Sequence, residues 1–263
     1  MLSFAKRYPA RGAAALLLLL IWYSVAFYVR LARQAEFPLP QETATAFLRL
    51  LANQDKILDH SLYAHLGASL ERWFMGYTAG VAWGLGLGLA GAMLPGMGRT
   101  LAPLISVIHL IPGLAWIPIA ILLVGINQRT AILLISLTAM PPVVLSLQQG
   151  LKATPEEFIM LSRMCGEGPG RRFFKVQLPA ALPHLITGLR LALANSWRVV
   201  VASEMVVGTG LGLGYTIMQS RWTLDYTTAF ICIGLIVVCG LLAEHGFFGM
   251  LEKVTLRRWG MSR

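Results

Sequence analysis

Apolar residues fall into long runs along this chain, separated by short polar breaks. Ala13 to Val29, Trp73 to Leu94, Thr100 to Gln128 and Thr130 to Leu151 carry no charge. Ala180 to Val207 is apolar but holds Arg190, Arg198 and Glu204, and Tyr226 to Ala243 is the last clean run. A helix needs about 20 apolar residues to cross a hydrocarbon core of about 30 Å. The pattern predicts six membrane-spanning helices, with both termini on one side. Between the first two, Leu31 to His65 is the longest stretch that does not span; Ala44, Phe47, Leu48 and Leu51 recur there at helical spacing and predict a short surface helix over Gln41 to Leu51. The domain division is 1–65 for the first span and its outer segment, and 66–263 for the remaining bundle.

Composition agrees with a lipid environment. Of 263 residues, 56% are hydrophobic and 13% charged, against about 25% charged in soluble domains; mean hydropathy is +0.66. Three cysteines exclude a disulfide scaffold. The net charge of +10 does not call for nucleic acid, because the basic residues gather on one side of the predicted topology. Lys6, Arg7, Arg11 and Arg99, then Lys152, Arg163, Arg171, Arg172 and Lys175, then Lys253, Arg257, Arg258 and Arg263 share that side, against Arg30, Arg33, Arg49, Lys56, Arg72, Arg129 and Arg221 on the other. The positive-inside bias makes it cytoplasmic and predicts both termini inside. The bulky end of the first run (Trp22, Tyr23, Phe27, Tyr28) and the following Arg30 argue for a retained helix rather than a cleaved signal.

Small and kinking residues refine the spans. Gly76, Gly80, Gly84 and Gly88 form a stripe that lets another backbone approach. Pro112, Gly113 and Pro118, and then Pro141 and Pro142, predict kinked helices of the sort found beside transport paths. Gly208, Gly210, Gly212 and Gly214 predict a sharp turn at the outer face. The G-x-x-x-x-G-K-[ST] phosphate loop does not occur, so no ordinary ATP site is expected in this chain.

The segment from about 152 to 178 carries the most information. Thr154-Pro155-Glu156-Glu157 predicts a helix start with Thr154 as cap and Glu157 as the reciprocal acid, running to about Cys165 and stopped by Gly166. Pro169 opens a second short helix through Phe174, and Pro179 closes the segment. Phe158, Leu161, Met164, Phe173 and Phe174 need burial, either against this chain's own bundle or in a partner's groove.

This segment resembles the cytoplasmic motif of ABC importer permeases: E-A-A, three residues, G, nine residues, I-x-L-P. Here Met160-Leu161-Ser162 is followed at the same spacing by Gly166 and then Val176-Gln177-Leu178-Pro179. The flanks Leu110 to Ile126, Leu178 to Trp197 and Val201 to Ile217 resemble the nitrate/sulfonate/taurine branch, and the likeness runs from about Leu66 to the C-terminus. The fold it implies is an all-α membrane protein with six transmembrane helices of the type I importer kind and a cytoplasmic coupling loop. It also implies a second permease copy, giving a homodimer, an ATP-binding subunit that holds ATP and Mg, a periplasmic solute-binding protein, and the bacterial inner membrane as location. The coupling residues would be Glu157, Met160, Leu161, Ser162, Gly166, Phe173, Phe174, Leu178 and Pro179. Met160, Leu161 and Ser162 depart from the family's Glu-Ala-Ala, which removes an acidic contact to the ATPase.

An ionisable side chain inside the membrane points to a path, an ion pair or a helix cap. Arg198, Glu204, Trp197 and His109 are the candidates for a translocation path, Arg198 as attractor of an anion. No set of metal ligands and no nucleophile with its base can be assembled. The expectation is a permease without catalysis of its own, carrying a small anion of sulfonate, taurine or nitrate type. The competing readings are a secondary transporter or channel that couples ions through the intramembrane charges, and a scaffold that transports nothing.

Overall fold

The computed structural model describes residues 7–34, 36–94 and 96–248. The basic residues at 6, 253, 257, 258 and 263 lie outside them. The described chain is helical, with one isolated bridge between Ile57 and His60 and no strand. The helices are α1 (Arg7–Arg33), α2 (Pro40–Leu51), α3 (Leu62–Met93), α4 (Met97–Leu110), α5 (Ile117–Val124), α6 (Gln128–Lys152), α7 (Glu156–Met164), α8 (Pro169–Arg172), α9 (Leu178–Val207), α10 (Leu213–Thr223) and α11 (Tyr226–Leu241). Four helical stretches are long and apolar enough to cross a membrane, five if the bent pair α4 and α5 is one span. The Gly-rich α3, at 32 residues, has the length of a span, and its glycines dilute its hydropathy.

The core is a three-helix sandwich with α6 in the middle, packed along its length on α3 and α9. Glycine sets the spacing. A Cβ on Gly80 would stand 2.6 Å from the Ser136 carbonyl oxygen, and one on Gly84 would stand 2.7 Å from Val143. The stripe therefore has α6 as its partner. On the other side of α6, a Cβ on Gly188 of α9 would meet Ser146 at 2.5 Å. Such close approach is how helices gain packing where lipid removes the hydrophobic drive. Over its apolar window, α6 is 72% buried, whereas α1 is 6% buried and stands at the edge. α1 is held by Trp22, whose indole donates to the Pro38 carbonyl at 3.1 Å and stacks on Phe230.

Five expectations change. The run Thr100 to Gln128 is a helix pair bent by 96°, because Ile111, restricted by Pro112, turns extended (φ −77°, ψ 122°). The run starting at Trp73 begins at Leu62, capped by Ser61; Arg72, which cut the apolar run, is buried and paired. In α2 the buried face is Thr43 and Leu50 with Ala46 and Phe47 half-buried, while Leu48 is exposed. The Thr154–Glu157 capping box does not form: Pro155 takes the cap position without a side-chain bond, and Thr154 is buried against the end of α6.

Past Gly166, which takes φ +74° as the C-terminal stop of α7, helix runs unbroken from Pro169 to Val207. The expected break at Pro179 is absent. Residues Phe173–Gln177 form a π turn, in which the Leu178 N–H reaches back five residues to Phe173 O. This shifts the ladder ahead of a proline that has no N–H to contribute.

Candidate functional site

Three constellations carry polar or exposed groups. The first is a cleft of about 330 Å³ where α4 turns into α5 against α6 and α9. Pro112 and Gly113 form its floor. A Cβ on Gly113 would stand 2.6 Å from Val199 and 2.8 Å from Thr138 Oγ1, so the turn sits directly on α9 and α6. His109, Trp116, Asn195 and Arg198 line the walls. Arg198 is exposed, and among the described residues it has neither an ion pair nor a hydrogen bond. No carboxylate lines the cleft among the described residues. An unpaired guanidinium with an amide and an imidazole beside it can bind an anion, since guanidinium presents a fork of donors to oxyanions.

The second constellation is buried at the end of the bundle away from the α6–α9 connection. Glu204 is fully buried and receives Arg72 Nη1 at 2.6 Å, Ser69 Oγ at 2.9 Å and the Gly214 N–H at 2.9 Å. Ser69 Oγ accepts the Leu213 N–H at 2.8 Å. His65 Nε2 donates to the Ile57 carbonyl at 3.0 Å, so its Nδ1 accepts from the Gly212 N–H at 3.2 Å. One carboxylate thus ties α3, α9 and the start of α10 together. The glycine turn makes room: Gly208, Gly210 and Gly212 take φ of +65°, +77° and +139°, and a Cβ on Gly212 would collide with the Glu204 carboxylate at 2.5 Å.

The third is the α6–α9 connection, an elbow. Phe158, Met160, Leu161, Met164 and Phe174 are 55–85% exposed. Phe173 and Ser162 are buried. Leu178 and Pro179 are half-buried, and Glu157 is exposed in the first turn of α7. Phe158, Leu161, Val176 and Pro179 line a shallow groove of about 430 Å³, with the Lys175–Glu167 pair (2.8 Å) on its rim. Large apolar side chains held outward on a short helix can form a surface for another protein.

The sequence candidates therefore separate. Arg198 and His109 share the cleft. Trp197, one residue from Arg198, points away from it: it is buried, its indole donates to the Ile236 carbonyl at 3.1 Å and meets Trp73 edge-on. Glu204 belongs to the buried tie. Arg190 lies 3.5 Å from Glu244 near the elbow end. Sequence reasoning missed Arg72, Ser69 and His65. Their signal was the glycine stripe itself: carried toward the start of α3, the face of Gly88, Gly84, Gly80 and Gly76 continues through Arg72, Ser69, His65 and Leu62, all buried.

Residues 81–254 match the family described as the inner membrane component of binding-protein-dependent transport systems. Among curated proteins, the chain is 30% identical to the taurine transport system permease TauC of Escherichia coli (strain K12), over 90% of this chain and 86% of that one. It is 32% identical to the bicarbonate transport system permease CmpB of Synechococcus elongatus, over 76% of this chain and 72% of that one. Among solved structures it is similar to an inward-facing MetNI methionine ABC transporter, with a TM-score of 0.56 at 25% identity, covering 74% of this chain and 94% of that one. The chain belongs to the family of binding-protein-dependent inner-membrane permeases: it is a multi-pass ABC importer permease, not an enzyme.

Proposed function

We propose that this permease forms the path for a small anion, of the sulfonate, nitrate or bicarbonate class, in an importer driven by ATP. Two copies face each other across the membrane, each with six crossings and both termini in the cytoplasm. A separate ATP-binding subunit, which holds ATP and Mg, grips the elbow from the cytoplasm, and a periplasmic binding protein delivers the solute to the opposite face.

The observation that carries the substrate class is Arg198, exposed and unpaired on the wall of a cleft within apolar helices. A cation there costs about 2.5–3.5 kcal/mol on insertion scales when it faces lipid, so its retention is explained by water and an oxyanion. The taurine and bicarbonate relatives support the same class. His109 and Asn195 would add donors on either side. Trp197 and Glu204 hold the wall behind Arg198 rather than touching solute.

The elbow supplies the drive. Met160 and Leu161 stand where the family's motif has an acid and an alanine, and both project outward. The contact to the ATPase is therefore one of apolar packing. Motion of α7 passes through the π turn into the continuous helix that bears Arg198, so closure of the ATPase pair changes the cleft by a rigid-body movement.

The test is uptake into proteoliposomes holding the permease, its partner ATPase and the binding protein. ATP-dependent accumulation of a sulfonate, nitrate or bicarbonate is expected, reduced at least tenfold by Arg198→Met with assembly intact. Unchanged uptake in that variant removes Arg198 from the path. Accumulation driven by an ion gradient without ATP overturns the coupling assignment.

A further inference from the structure

Among the described residues that line the Arg198 cleft, His109 is the only other one with a titratable side chain. It stands in the last turn of α4, exposed, with neither a hydrogen bond nor an ion pair among the described residues. Ile105, one turn earlier, is 4% exposed and packs with Met140 and Val144 of α6. Residues four apart share a helix face, so His109 continues that face into the cleft. On α9, Asn195, Arg198 and Ala202 reach the same cleft from one face, at spacings of three and four.

The two basic groups differ in kind. A guanidinium stays charged at every physiological pH, whereas an imidazole gains or loses its charge between about pH 5 and 8. No acid lines the cleft to fix the imidazole in one state. From α6 come Leu137, Thr138 and Pro141, and the turn after α4 adds no titratable side chain. What bears on the charge of His109 is Arg198 from α9 and the carbonyl end of α4, which favours a cation in its last turn. An anion seated between imidazolium and guanidinium turns a repulsion of like charges into two attractions.

We propose that the cleft takes up a proton with its anion, held on His109, so that anion affinity rises as pH falls. This rests on the anion path proposed above and adds a proton to it. The proton comes from water on the side to which the cleft is open and returns to water when the anion leaves. An acidic exterior then favours loading and a neutral interior favours release, which is the direction of import. Binding linkage makes the effect reciprocal: whatever factor the charged imidazole adds to anion affinity, the bound anion adds to proton affinity.

The experiment uses the full chain in maltoside micelles with nitrate as the probe. Nitrate stays fully ionised throughout, so any pH dependence belongs to the protein. Affinity is read from the rise in unfolding midpoint as nitrate replaces chloride at equal ionic strength, at pH 6 and at pH 8. The wild type is expected to bind nitrate about fivefold more tightly at pH 6, the worth of one partly exposed ion pair. His109→Gln, at an exposed position and still a donor, should hold the pH 8 affinity at both. Arg198→Met should lose binding at both. A second readout follows the imidazole itself, with histidine carrying 13C at Cε1 and the His109 signal assigned by its absence from His109→Gln. At pH 7 nitrate should move that signal toward the imidazolium position in the wild type and not in Arg198→Met. Equal affinity at the two pH values, a pH dependence that survives in His109→Gln, or a His109 signal that chloride moves as far as nitrate does overturns the proton link and leaves the role of Arg198 standing. Binding unchanged in Arg198→Met, or absent from the wild type, overturns the anion path and the proton link with it.

Discussion

The two ends of the α3–α6–α9 core are built from the same helices by opposite rules. At the end where α9 turns into α10, the buried carboxylate and imidazole find their partners within the chain: Glu204 takes Arg72, Ser69 and Gly214, and His65 takes Ile57 and Gly212, with Arg72 Nε alone left over among the described residues. At the elbow end, apolar side chains stand exposed on α7, Gln148 Nε2 is unpaired, and the cavity that Arg99 and Lys152 line holds no acidic side chain among the described residues. An end that completes itself is a fixed joint. An end that leaves both apolar and polar groups unmet is completed by something else. On the proposed function, force enters the permease at the end where the chain stops satisfying itself.

The comparison breaks first if the closed end is not a joint. Glu204→Ala leaves the Arg72 guanidinium buried without a partner and strands the N–H of Gly214. Removing one member of a buried pair costs about 3–5 kcal/mol. Expected is the largest drop in unfolding midpoint of any substitution named here. The double variant Arg72→Met with Glu204→Leu should recover part of the loss, because it removes both charges together. A Glu204→Ala variant as stable as the wild type would mean that the buried tie is ornamental.

The next effect tests the core that both ends share. Gly84→Val places a branched side chain where a single Cβ already comes within 2.7 Å of Val143 and 2.9 Å of the Met140 carbonyl oxygen. Overpacking of this kind costs about 1–3 kcal/mol. Denaturation in detergent should show that drop, while Gly86→Val, where nothing lies within 4 Å of the added atom, should be close to neutral.

At the elbow the expected stability change is small and the functional change large. Leu161→Asp and Met160→Asp replace exposed apolar groups and should shift stability by no more than about 0.5 kcal/mol. Capture of the ATP-binding subunit should fall at least tenfold in co-purification. A destabilised variant would show instead that these side chains pack on their own bundle, and the contrast between the two ends would fail.

Much of this plan could be read from the sequence, and the parts that could not share a cause. Runs and loops were legible because lipid imposes length and polarity on each helix independently. The elbow was legible because spacing across 160 to 179 belongs to a motif. The tie was not, because Glu204 meets Arg72 across 132 positions, and a charge ending an apolar run reads as the end of a helix. The stop expected at Pro179 failed for a local reason: a π turn absorbs the missing donor without breaking the helix. Trp197 and Arg198 are neighbours in sequence and face apart, which only the packing of α9 between α6 and α11 decides.

The smallest prediction asks whether burial, rather than position in the bundle, makes a pair strong. Arg30 and Glu42 join α1 to α2 at the closed end, 2.5 Å apart, with side chains 36% and 48% exposed. The Arg30 guanidinium, and then the Leu39 N–H at 3.0 Å, hold the Glu42 carboxyl below the usual carboxylate range. A depressed carboxyl contributes stability above its unfolded value of about 4.3 and loses it as pH falls through the lower folded value. The difference in unfolding midpoint between wild type and Glu42→Gln should therefore be positive but slight at pH 6 and shrink as pH drops below 4. It should also fade with added salt, since water screens an exposed pair. The Arg72–Glu204 pair, shielded from both, should show no such salt dependence. If salt weakened the two pairs alike, the closed end would be wet, and its role as the fixed joint of the permease would be lost.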